Sequence, residues 1–165
     1  MTRPVALLVL AAILAWAPLA AGPARAAEAL VHARNFKADG RLAAQKRIPI
    51  LVVFTSPGCH FCQRVKAEYL LPMQKDPAYK NKVLIRELEV GSQNPLTLFD
   101  GSASTEGAFA ADQKVFMVPT LKFFDPQGRE ISEPIVGLLT PDYYFGYIDA
   151  AITEGLTKIR ATARQ

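Results

Sequence analysis

Hydrophobic residues in this chain gather in short blocks whose spacing changes from block to block. Ile48–Phe54 (IPILVVF) is continuous and β-branched, the pattern of a strand buried on both faces. Upstream, residues 29–46 set Leu30, Ala33, Phe36, Ala38 and Leu42-Ala43 among charged side chains. That spacing predicts a helix, started or interrupted near Asp39-Gly40 and ended by the basic turn Lys46-Arg47. Thr55-Ser56-Pro57-Gly58 is a turn. Cys59 to Leu71 favours a helix with Val65, Tyr69 and Leu70 apolar, and Pro72 is expected to stop or kink it. Val83–Val90 predicts a second strand, Gly91–Ser104 a loop, and Thr105–Lys114 a short helix with Ala108, Phe109 and Ala111 inward. Leu121–Phe124 reads as a third strand, ended by the turn Asp125-Pro126-Gln127-Gly128. Glu130–Val136 resumes extended structure, with Pro134 arguing for an edge. Thr140-Pro141-Asp142 opens the last helix with a hydroxyl, a proline and an acid.

The order is helix, strand, helix, strand, helix, strand, strand, helix. It predicts an α/β fold: a central mixed sheet flanked by helices, first parallel, with an antiparallel hairpin over Leu121–Val136. The length of 165 residues suits one domain of the usual ~100–200 residues. At 50% hydrophobic and 21% charged residues, disorder and coiled coil are both excluded.

The N-terminus changes the reading of charge. Met1 to Ala26 carries a basic Arg3, an apolar run from Val5 to Ala17, then Pro18 and Gly22, and ends Ala24-Arg25-Ala26. That order predicts a secretory signal peptide over 1–26 and a mature domain over 27–165, exported to a periplasm. The alternative is an uncleaved anchor, but the 13-residue run is short of the ~20 residues needed to span a bilayer. No cysteine precedes Cys59, which argues against a lipid anchor. Without Arg3 and Arg25, 17 basic residues face 15 acidic ones, too mild a balance for nucleic-acid binding.

Two cysteines and two histidines make no disulfide scaffold, and a four-ligand zinc site would need them all. No metal site or cofactor is expected. Cys59 and Cys62 close too small a loop for a purely structural disulfide to stabilise the chain much. Placed where a strand turns into a helix, Cys59-His60-Phe61-Cys62 instead suits redox exchange. Free N–H groups and the dipole at a helix start favour a thiolate at Cys59, the expected nucleophile. Cys62, one turn inside, is the expected resolving thiol. His60 has three open readings: a solvated residue, a group favouring the thiolate, or a metal ligand. Gln63 after Cys62 breaks the haem-attachment signature. Phe61 is read as a shield and partner contact, with simple packing as the alternative, and His32 as a surface residue of the first helix.

From about Ile48 to Ile152 the chain resembles the thioredoxin family. The resemblance rests on strand–SPGCHFC–helix, on Val118-Pro119-Thr120 before LKFF, and on Gly137 after the hairpin. It implies a thioredoxin-like fold, a cis Pro119 facing the cysteines, and pairing of substrate with the backbone of Val118. The departures are Gly58 where the family has tryptophan, and His60-Phe61 in place of Gly-Pro. The family's buried aspartate matches Val53, and its lysine partner matches Glu87. Glu87 is then either a solvated strand residue or a substitute carboxylate for proton transfer at Cys62. Periplasmic thioredoxin-like proteins, including those associated with sulfur oxidation, are similar overall.

Two functions remain. One is an exported, monomeric thiol–disulfide oxidoreductase acting on a disulfide-containing protein or small thiol substrate. Lack of a second domain and of a large helical insertion favours the reductase direction, with a membrane thiol transporter as electron donor. The other is a copper or thiol-metal chaperone, since two soft thiolates suit Cu(I).

Overall fold

The computed structural model describes residues 29–162, so the signal-peptide reading lies outside the described residues. The first helix, α1 (Phe36–Lys46), starts later than the apolar spacing suggests. Asn35 sets the start, its side chain accepting the Ala38 N–H at 2.8 Å, and Gly40 does not interrupt the helix. A Cβ at Gly40 would run into the carbonyl oxygen of Pro126, so glycine there permits close approach. Residues 30–34 are extended instead. Glu87 donates its N–H to Val31 O at 2.9 Å and accepts from Ala33 N–H at 2.8 Å.

The strand β1 (Ile50–Thr55) is buried along its whole length, as a continuous β-branched run requires of a central strand. Helix α2 (His60–Val65) follows, then a π-helical turn (Lys66–Leu70) and α3 (Leu71–Lys75). Pro72 therefore does not end the helix. Leu71 N–H reaches back five residues to Lys66 O, and the wider turn lets the chain pass a proline that cannot donate.

Next come β2 (Leu84–Glu89), then β3 (Pro95–Thr97) and β4 (Ala103–Thr105), a small antiparallel hairpin within the expected loop. Helix α4 (Glu106–Asp112) is capped by the Thr105 side chain, which accepts the Ala108 N–H. The chain closes with β5 (Thr120–Phe124), β6 (Ile135–Val136) and α5 (Pro141–Thr162). Strand β6 is shorter than the predicted 130–136. Pro134 has no N–H to donate, and only the isolated bridge Phe124↔Glu130 continues the pairing.

The main sheet runs β2-β1-β5-β6, with β1 parallel to β2 and antiparallel to β5, and β5 antiparallel to β6. It is the mixed sheet that the element order implies. Neighbouring residues of β2 point to opposite faces. Arg86 forks onto Asp39 of α1, at 2.9 and 2.6 Å, whereas Glu87 meets Lys66 on the other face. On the α1 face, Phe36 stacks on Phe99 and packs with Phe109, which in turn meets Phe54 and Phe124. Each such buried ring contributes roughly 1.5–3 kcal/mol. On the opposite face Tyr69 packs on Tyr144 of α5. The layers fix the C-terminal end of β1, where the cysteines sit.

Candidate active site

Strand β1 ends at Thr55, and Gly58, at a φ of +71°, turns the chain into α2. Cys59 caps that helix. Its Sγ accepts the Cys62 N–H at 3.1 Å and is joined to Cys62 by a disulfide. Cys59 is half-buried, whereas Cys62 is fully buried. An N–H aimed at Cys59 Sγ favours negative charge there once the disulfide opens. His60 and Phe61 both stand exposed, and their rings meet edge-on at 5.8 Å.

The Val118–Pro119 bond is cis. Thr120 pairs with Phe54, so one step further along the register Pro119 lies across from Thr55, at the sheet end that carries Cys59. Gly137 donates its N–H to Pro119 O at 2.7 Å and joins the same end. Phe116, Met117 and Leu139 leave most of their surface to solvent, so this end of the sheet is rimmed with apolar side chains.

Glu87 pairs with Val53 across the parallel register and is only 5% exposed, so it is not a solvated strand residue. Its Oε1 accepts from Lys66 Nζ at 2.8 Å and from Thr55 Oγ1 at 3.0 Å. Lys66 lies one helical turn beyond Cys62, which accepts its backbone N–H. The carboxylate is thus held between the end of β1 and the cysteine helix. His32 is not on a helix. Its extended segment brings Nε2 to 3.9 Å from Glu87 and Nδ1 to 3.6 Å from the buried Glu106.

Lys66 and Glu106 escape the sequence reading, which takes Thr55 only as a turn residue and His32 only as a surface residue of a helix. The four-residue step from Cys62 to Lys66 is a signal that places a cation on the cysteine face. Nothing in the local pattern pairs His32 with β2. Among the described residues no three His, Cys, Asp or Glu side chains group to hold a metal ion, and no helix is long and apolar enough to cross a membrane.

Comparison with known proteins follows the same line. A thioredoxin-like domain family model matches residues 36–152. Among solved structures, thioredoxin f2 of Chlamydomonas reinhardtii is similar at 12% identity and a TM-score of 0.50, covering 73% of this chain and 94% of that one. Trichomonas vaginalis thioredoxin is 22% identical, with a TM-score of 0.49 and coverage of 76% and 96%. The periplasmic thioredoxin SoxS of Paracoccus pantotrophus is 18% identical, with a TM-score of 0.46 and coverage of 64% and 97%. Sequence comparison with curated proteins finds no match. At these identities the structural likeness concerns the fold alone. With the family model spanning most of the chain and a Cys59–Cys62 disulfide at the helix start, the chain belongs to the thioredoxin-like domain family and is a thiol–disulfide oxidoreductase.

Proposed function

We propose that this oxidoreductase is exported to a periplasm and works there as a reductase of disulfide-containing proteins or small disulfides. The observation that carries the exchange chemistry is the asymmetry of the pair: a half-buried, N–H-capped Cys59 beside a fully buried Cys62. With the pair reduced, the Cys59 thiolate attacks one sulfur of the substrate disulfide, forms a mixed disulfide and releases the other sulfur as a thiolate. Cys62, once deprotonated, attacks Cys59 Sγ and releases the second substrate thiolate. Two electrons pass to the substrate, and the Cys59–Cys62 disulfide remains. A thiol donor, such as a membrane thiol transporter, reduces that disulfide and restores the dithiol. Val118 and Pro119 align the incoming substrate strand, and Phe61 and Gly137 contact it. His60 favours the Cys59 thiolate from the helix start. Glu87, held by Lys66 and Thr55, accepts the Cys62 proton directly or through one water.

The reductase direction is supported by a fold whose only addition between β2 and α4 is the short β3–β4 hairpin, with no large helical insertion. Equilibration of the pair with a thiol buffer tests it. A potential near about −270 mV fits a reductase, and one near about −120 mV fits an oxidant. Insulin reduction measured beside Cu(I) titration separates exchange from metal carriage. Export is tested by the mass of the protein recovered from a periplasm, with a start near Ala27 expected.

A further inference from the structure

We propose that the groove between β6 and α5 seats an extended segment of the disulfide-bearing polypeptide, one that presents an apolar or aromatic residue followed outward by a basic one. The inference rests on Cys59 and Cys62 being the exchange site and specifies the substrate class that the site prefers.

The groove encloses about 380 Å³ and starts at Gly137 and Leu139, on the Cys59 end of the sheet. It runs along α5 past Tyr147 to Ser132 and Glu133. Strand β6 has β5 as its single neighbour, so its outer edge is open. Gly137 N–H bonds Pro119 O, which makes Pro119 and Gly137 a hydrogen-bonded pair; Thr120 and Val136, the next pair, are then not hydrogen-bonded. The N–H and C=O of Val136 therefore point to the open edge, ready to pair with another backbone. Pro134, lacking an N–H, restricts pairing beyond it. A free backbone donor and acceptor beside the exchange site fit a polypeptide better than a small molecule.

Charge selects the occupant further. The groove is lined by two acids, Glu133 and Glu154, and beyond them it meets a cavity that also carries Lys122, held by Glu130, and Lys158. Glu154 is engaged by Lys158 at 2.6 Å, while Glu133 has no ion-pair partner among the described residues. Tyr144 and Ser132 line the groove, with their hydroxyl oxygens buried behind its surface. Val136 and Ser132 are four steps apart, about 13 Å at ~3.3 Å per residue. The basic residue therefore falls about four positions beyond the one beside Val136 and, with one or two residues reaching from the reacting cysteine, about five or six from that cysteine.

The test uses two synthetic peptides, each with one cysteine linked to glutathione. One carries tyrosine four and lysine six positions away on both sides; the other carries glycine and serine there. The reduced full-length protein is expected to turn over the first with a kcat/KM about tenfold higher. A double substitution, Glu133→Lys with Glu154→Lys, is expected to erase that preference and leave the rate with dithiobis(nitrobenzoate) within twofold of wild type. A cysteine-to-serine version of the first peptide is expected to slow hydrogen exchange at the Val136 amide. Equal rates for the two peptides, a preference that survives the charge reversal, or an unprotected Val136 amide would overturn the groove assignment. Failure to reduce any of the disulfides would instead reject the exchange reading, and the exchange protection at Val136 still tests the groove by itself.

Discussion

Lys66→Met isolates the most heavily buried charge beside the cysteines. In the native protein the Glu87 carboxylate has 7% of its side chain exposed, and Lys66 Nζ sits 2.8 Å from it with 20% of its side chain exposed. Removing the ammonium leaves a buried carboxylate with the Thr55 hydroxyl as its close donor and His32 at 3.9 Å. Breaking a fully buried pair from one side costs about 3–5 kcal/mol; the partial exposure of Lys66 moves the expectation to about 3 kcal/mol. Glu87→Gln is the gentler change. The amide still accepts from Thr55, and the freed lysine can rotate into water, so the expected cost is about 1–2 kcal/mol. The double variant should cost less than the two singles together, by about 1 kcal/mol or more. Equilibrium urea unfolding of the disulfide-intact protein reads all three, provided the slope stays constant. A Glu87→Gln cost equal to or above that of Lys66→Met would refute the reasoning. So would additivity within about 0.5 kcal/mol, since it would mean that the pair does not interact.

Other outcomes follow from single positions. Gly40→Ala puts a Cβ against the Pro126 carbonyl and should lower stability by about 1–3 kcal/mol, despite alanine's better helix propensity; thermal unfolding checks it. Gly146→Ala, where an added Cβ meets nothing within 4 Å, should raise stability by about 0.5–1 kcal/mol. Tyr79 is held by burial, then by its 2.6 Å bond to Asp149, with its phenol pushed up to about 12. A raised value means that the neutral phenol is favoured in the folded state. The contribution is complete below the ordinary value near 10 and is lost as pH rises through about 12. Absorbance titration near 295 nm should show a late tyrosinate that Tyr79→Phe removes; a variant curve identical to wild type would contradict the assignment. Glu87→Gln should slow resolution of the mixed disulfide by about tenfold or more and leave the first attack by Cys59 nearly unchanged, as stopped-flow measurement of the two steps would read.

The element order was legible because each block carries its own period. The continuous run at Ile48–Phe54 could be a strand in the middle of a sheet, and it is one. The Cys59 turn and the last helix likewise carry local punctuation. What stayed hidden depends on contacts distant in sequence. Leu30 and Ala33 face the core from an extended segment paired with β2, and their spacing alone fits a helix equally well. Gly40 looks like a helix breaker until Pro126 is seen against it. Pro72 looks like a stop, because a π-helical turn has no distinct signature in the sequence. At the site, the cysteines were evident from their spacing, whereas the Lys66–Glu87–Thr55 cluster needs the register of β1 against β2.

The central claim is the division of labour between the two sulfurs. It is tested most directly by incubating the reduced Cys62→Ser protein with a protein disulfide near neutral pH and mapping the product under non-reducing conditions. The account predicts a stable mixed disulfide through Cys59, while the Cys59→Ser protein forms none and has no turnover. A mixed disulfide that forms through Cys62 in the Cys59→Ser protein, at a rate matching that of Cys59, would contradict it.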